Sequence, residues 1–185
     1  MMKILTRLRE ETAELHKALE GENLANKIMD HSISREEYRN LLFQNYIAYK
    51  KAETEIAKYL PVKTEKTAKL STDLEVLGVK DQGPVLDFSC NNEAEAIGAA
   101  YVIEGSAMGG LLIGKEIKDC DSLTGLPDQV FFSGTRDSMK GWNEYLKFLR
   151  SREFTDAEID AAASKAKETF LLFERAFQVE LSGTV

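Results

Sequence analysis

Arg9, His16 and Glu20 are the residues whose types and spacing first point to chemistry. A neutral imidazole offers a nitrogen lone pair to a metal. Glu20 follows His16 by four residues, so on a helix both share one side. There its carboxylate can accept a hydrogen bond from Nδ1–H, directly or through water, which orients the ring and leaves Nε2 free to ligate. Arg9 precedes His16 by seven residues, two turns back on the same face and about 10 Å along the axis at 1.5 Å per residue. A cation at that reach suits a carboxylate on the rim of a large planar ligand. The commoner role of a histidine within an amphipathic helix is that of a boundary or surface residue, and Arg9 and Glu20 fit equally well as solvated charges beside it.

A second stretch, Ala96 to Ile117 (AIGAAYVIEGSAMGGLLIGKEI), reads as a helix but carries Gly98, Gly105, Gly109, Gly110 and Gly114. Each glycine costs a helix roughly 0.5 to 1 kcal/mol relative to alanine. Gly105, Gly109 and Gly110 fall within two turns, which leaves one side of the helix bare. Small residues at this spacing commonly let two helices pack closely. The adjacent pair Gly109–Gly110 also permits a kink. A kinked glycine face opposite a histidine-bearing helix would leave a flat slot, and a porphyrin is flat.

Other chemistries find little support. Cys90, Cys120, His16 and His31 lack the spacing of a zinc site. GSAMGG follows no strand and fits neither a P-loop nor a dinucleotide fingerprint, and no paired Glu-x-x-His motif marks a di-iron bundle. The net charge of −7 and the absence of a dense Lys/Arg run argue against nucleic-acid binding. Two cysteines in connecting segments suit a reducing cytoplasm. The start, MMKILTRLREETAELHK, lacks the apolar core and cleavage site of a signal peptide. Ala96 to Gly114 is apolar enough to raise a membrane span, but Glu104 at its centre and polar flanks argue against one.

The elements that must position these residues are helices. Ile4, Leu5, Leu8, Leu15 and Leu19, with Thr12 between them, make the first helix amphipathic up to Gly21. A short helix fits Asn23 to Met29, and Ser34–Glu37 is a capping box for a long helix to Leu60, before Pro61. A further helix fits Thr64 to Leu77. Asn92 caps the glycine-bearing helix, with Glu95 three residues on, and Asp119 to Gly134 reads as loop. Two last helices fit Thr135 to Arg152 and, from the Thr155–Glu158 cap, Asp156 to Leu181. No segment alternates for long enough to predict a strand. The expectation is an all-α bundle forming a single domain over residues 1–185.

With these features in place the chain resembles the haem (heme) oxygenases, in particular their bacterial biliverdin-forming branch. The resemblance rests on LREETAELHKALE (Leu8 to Glu20), similar to the family's proximal-helix motif, and YVIEGSAMGG (Tyr101 to Gly110), similar to its distal-helix motif. It is completed by Phe148 to Arg152 (FLRSR) and Thr169 to Phe173 (TFLLF), in the expected order across nearly the whole chain. It implies a haem oxygenase bundle with a kinked, glycine-rich distal helix. His16 would be the proximal iron ligand, tuned by Glu20. Gly105, Gly109 and Gly110 would let the distal backbone approach the haem. Arg9 and Arg150 match propionate-binding basic residues, with Lys147 beside them. Phe170 and Phe177, a heptad apart, would line the pocket, although a core role suits them as well. Ser106 stands where the animal enzymes carry an aspartate that holds the catalytic waters; related bacterial enzymes also carry serine there.

The implied reaction oxidises haem, both cofactor and substrate, to biliverdin, carbon monoxide and ferrous iron, using dioxygen and electrons from an external electron donor such as a ferredoxin or a reductase. A biliverdin-using photoreceptor is a further implied partner, and the location is cytoplasmic. A haem carrier or sensor with the same fold and no turnover is the alternative, motivated by Ser106. A helical relative acting on another small molecule, in the manner of a thiamine-degrading enzyme, would need a nucleophilic cysteine in a helical pocket.

Overall fold

The computed structural model describes residues 3–21, 23–61 and 65–182, and among them every regular element is helical. Helix α1 (Lys3–Gly21) buries Ile4, Leu5, Leu8 and Thr12, the first half of its predicted stripe, and packs the second half, Leu15 and Leu19, half-buried against the core. The short α2 (Ala25–Met29) leads to α3 (Arg35–Ile56), whose capping box is present in full: the Ser34 hydroxyl accepts from Glu37 N–H and the Glu37 carboxylate accepts from Ser34 N–H. Thr64, the predicted start of the fourth helix, lies outside the described residues; α4 spans Glu65–Val76. Asn92 caps α5 (Glu93–Gly105) by accepting from Glu95 N–H, and α6 (Ala107–Glu116) follows after one residue. Single turns of 3-10 helix at Ile117–Asp119, Asp121–Leu123 and Arg136–Met139 lead to α7 (Lys140–Arg150), and α8 (Asp156–Ala176) starts from the complete Thr155–Glu158 capping box.

The larger boundary differences from expectation have identifiable physical reasons. The long third helix leaves α geometry at Ile56, and its last carbonyls are closed by turn bonds from Tyr59 and Leu60 to Ile56 O at 3.0 and 2.9 Å before Pro61. The seventh helix opens as a 3-10 turn because Thr135 offers its first turn no side-chain cap. The last helix ends at Ala176, not Leu181. There α3 takes over the backbone: Gln44 Nε2 donates to Phe177 O and Val179 O, both at 2.9 Å, and Asn40 Oδ1 accepts from Leu181 N–H at 2.8 Å.

One hydrophobic core runs through the described residues, with Leu8, Tyr38, Leu42, Ile56, Leu70, Ile97, Ile103, Leu149 and Leu172 fully buried. Helix α8 is its centre, packed most extensively on α5 and then on α1, with α3 against α4, α5 and α8. The run Glu93–Asp119 has the length and apolar character to cross a membrane. Its first half, α5, supplies buried core, with Ala96, Ile97, Ala99 and Ile103 inside.

Candidate functional site

The five glycines divide into two sets. Gly98 and Gly114 are packing glycines: a Cβ at Gly98 would strike the carbonyl of Ala162 on α8, and one at Gly114 would strike the backbone of Gly134. Gly109 and Gly110 are the opposite, since a Cβ there meets nothing within 4 Å, and at Gly105 it would make only an ordinary contact of 3.6 Å with the Trp142 ring. Gly105 and Gly109 are exposed. Close packing therefore explains Gly98 and Gly114 and leaves Gly109 and Gly110 as bare backbone facing open space.

The break in this helix lies at Ser106 and not at Gly109–Gly110, which sit within the continuous α6. The Ser106 hydroxyl bonds back to Ile103 O at 2.7 Å and meets the Tyr49 hydroxyl, also at 2.7 Å. A serine that bonds its own preceding turn competes with the helix ladder and bends it. Ser106 is thus a fixed, half-buried hinge residue, tied to α3 through Tyr49.

On α1, His16 Nδ1 lies 3.4 Å from Glu20 Oε1, within ion-pair range, and the His16 side chain is 60% exposed. Its one aromatic neighbour is Phe170 of α8, edge-on at 5.9 Å between centroids. Phe170 is buried, so it supports the imidazole from the core side. One turn further along α8, Phe173 packs edge-on against Tyr49 at 5.0 Å, and Tyr49 also meets Phe131 at 5.5 Å. Phe177 stands just past the end of α8 against Phe173, 6.1 Å away. Helix α8 thus carries one ring packed on His16 and, one turn on, another packed on Tyr49, the partner of Ser106.

Helices α1 and α5 meet at Thr12 and Tyr101. Burial raises the Tyr101 phenol, opposed by its hydrogen-bonding contact with Thr12 and by the charge of Arg9, which places Arg9 beside α5. One turn beyond this contact stand His16 on α1 and Gly105 on α5. Arg9, Lys147 and Arg150 are exposed and form no ion pair among the described residues, which leaves three cations for external carboxylates. No contact joins Arg150 or Phe177 directly to His16 among the described residues. A shallow groove of about 370 Å³ on α7 is lined by Arg136, Asp137, Lys140, Asn143, Glu144 and Lys147, so only Lys147 is shared with the predicted set.

Spacing alone did not single out Tyr49, Phe131 or Glu53. Tyr49 stands among the apolar residues of α3, where a tyrosine reads as core, and its bond to Ser106 spans 57 positions. Cys90 and Cys120 are buried and free, and burial pushes the Cys90 thiol up to about 11, which removes the nucleophile that a thiamine-degrading type of chemistry requires.

An exposed imidazole beside a carboxylate, a bare backbone face and cations without ion pairs among the described residues suit a flat, iron-centred, acidic ligand. The Heme oxygenase family profile matches residues 2–86 and 84–179. Among solved structures, the chain is similar to the NO- and CO-bound heme oxygenase of Neisseria meningitidis, with 19% identity, a TM-score of 0.71 and coverage of 100% of this chain and 99% of that one. It is likewise similar to the heme oxygenase of Leptospira interrogans, at 22% identity and a TM-score of 0.73, covering 95% of this chain and 98% of that one. No curated protein sequence matches it.

Proposed function

The chain belongs to the heme oxygenase family, and from that premise we propose that it holds haem between α1 and the α5–α6 helix pair, with His16 as the iron ligand and the Gly105–Gly110 backbone as the distal wall. Its function is oxidative cleavage of haem to biliverdin, carbon monoxide and ferrous iron with dioxygen and electrons. The observation that carries the site assignment is the open face at Gly109 and Gly110, where a Cβ would meet nothing within 4 Å.

The bound porphyrin supplies the redox chemistry and the carbon that is oxidised. The chain's residues supply position. Glu20 holds Nδ1 of His16 and so presents Nε2. Phe170 blocks rotation of the imidazole toward the core. Arg9, with Arg150 or Lys147, pairs the propionates and fixes how the ring is turned in its slot. Tyr49 orients the Ser106 hydroxyl, and the bare distal backbone admits the ring edge close enough to select one meso carbon.

The electron donor is a ferredoxin or a reductase, biliverdin passes on to a user such as a photoreceptor, and the protein works as one domain in the cytoplasm. Hemin added to the purified protein should give a saturable one-to-one Soret band that decays to biliverdin absorbance on addition of ascorbate or a ferredoxin-type donor. A band that forms and persists under reductant and air would identify a carrier or sensor instead.

A further inference from the structure

Behind the distal wall lies a carboxyl group that the account so far does not use. Glu53 on α3 is 1% exposed, one turn after Tyr49 and on the same side of the helix. Its Oε1 accepts from the backbone N–H of Thr67 in the first turn of α4 at 3.0 Å, and its Oε2 is buried with no hydrogen-bond partner among the described residues. A buried oxygen of an ionised carboxylate would not be left bare, because the charge demands solvation. A protonated acid can tolerate that position.

The charged neighbours are few. Lys66, beside Thr67 on α4, is spent on Glu104 of α5 at 2.9 Å, so it gives Glu53 only part of a counter-charge. Glu104 opposes ionisation of Glu53 and immediately precedes Gly105. Burial, the largest influence, raises the Glu53 carboxyl to about 7, while the bonds from Thr67 and the Lys66 charge restrain the rise. Charge on Glu104 and Glu53 in turn raises the Tyr49 phenol beyond what burial does, against the bond to Ser106. The four groups form one electrostatic unit spanning α3, α4 and α5, and its outer end is the Ser106 hydroxyl.

We propose that Glu53 is a positioning residue of the distal site: as the neutral acid it lets Tyr49 donate to Ser106 and turn the serine hydroxyl to its working direction, and as the carboxylate it holds the Tyr49 proton back. Loss of the Oε2 proton to solvent is the only covalent change, and no electron moves. The inference uses the distal-wall assignment of the preceding section, but its physical core concerns the haem-free protein.

The sign follows from the raised value. The unfolded carboxyl ionises near its ordinary 4.5 while the folded one stays protonated, so the contribution of Glu53 to stability is full below about 4.5 and declines as the pH rises toward about 7. Glu53→Gln keeps the acceptor for Thr67 and removes the charge, so it should unfold at a higher temperature than the wild type at pH 8 and at nearly the same temperature at pH 4.

The test is difference infrared spectroscopy of the haem-free protein between pH 5 and 9, on the wild type, Glu53→Gln and Tyr49→Phe. In the wild type a protonated-carboxyl band should disappear with a midpoint near 7, together with a shift of one tyrosine C–O band. Glu53→Gln should lack both changes, and Tyr49→Phe should lack only the second. A carboxyl band that titrates in the ordinary range, or a tyrosine shift that survives Glu53→Gln, would overturn the proposal. Turnover should also fall through the same midpoint in the wild type and keep its low-pH level in Glu53→Gln. A protein that shows the infrared pattern but binds no hemin would refute the distal-wall assignment and leave the Glu53–Tyr49 coupling standing.

Discussion

Gly98 and Gly109 lie eleven residues apart on the same pair of helices, and they are glycine for opposite reasons. Gly98 is glycine because α8 presses a carbonyl into the space a side chain would fill. Gly109 faces open space, where the folded chain itself would accept any small side chain and gain helix propensity from it. A glycine required by its neighbours serves the fold. One that no neighbour requires, exposed in a helix and costing stability, leaves its face free for a contact outside the chain, as the proposed haem site needs. The contrast separates the packing glycines of a single apolar stretch from those the proposal turns toward the ligand.

Substitutions can break that contrast from either side. Gly98→Ala should have the largest effect, since backbone on α8 must move, with a loss of about 3 kcal/mol or more in urea unfolding of the haem-free protein. Gly109→Ala should do the reverse, adding about 0.5 to 1 kcal/mol of stability while weakening hemin binding by roughly tenfold to a hundredfold, about 1 to 3 kcal/mol in a spectral titration. Equal destabilisation by both substitutions would erase the distinction. Ser106→Ala should remove the hydrogen bonds to Tyr49 and Ile103 at a cost of about 1 kcal/mol each, and should straighten the hinge, seen as a small gain in helical circular dichroism.

Much of this architecture is legible in the sequence because it is local. The Ser34 and Thr155 capping boxes, the Asn92 cap and the amphipathic stripe of α1 each depend on residues within a few positions of one another. The His16–Glu20 pair has the same local origin. What escaped depends on distant partners. The helix bends not at the glycine pair but at Ser106, where the hydroxyl bonds back to Ile103 O and is held by Tyr49 from another helix. Helix α8 stops early because Gln44 and Asn40 claim its following backbone. In the sequence Glu53 is one of several charged residues of α3, and only the packing of α4 over it shows that its carboxyl is buried.

The most direct test of the haem-site assignment is a hemin titration of wild type and His16→Ala in parallel, read as the full absorption spectrum. Histidine ligation predicts a one-to-one Soret complex in the wild type whose histidine-ligated spectrum is lost in His16→Ala and returns, in part, when imidazole is added. The same ligated spectrum in both proteins would contradict the assignment of His16 and, with it, the placement of the haem between α1 and the glycine face.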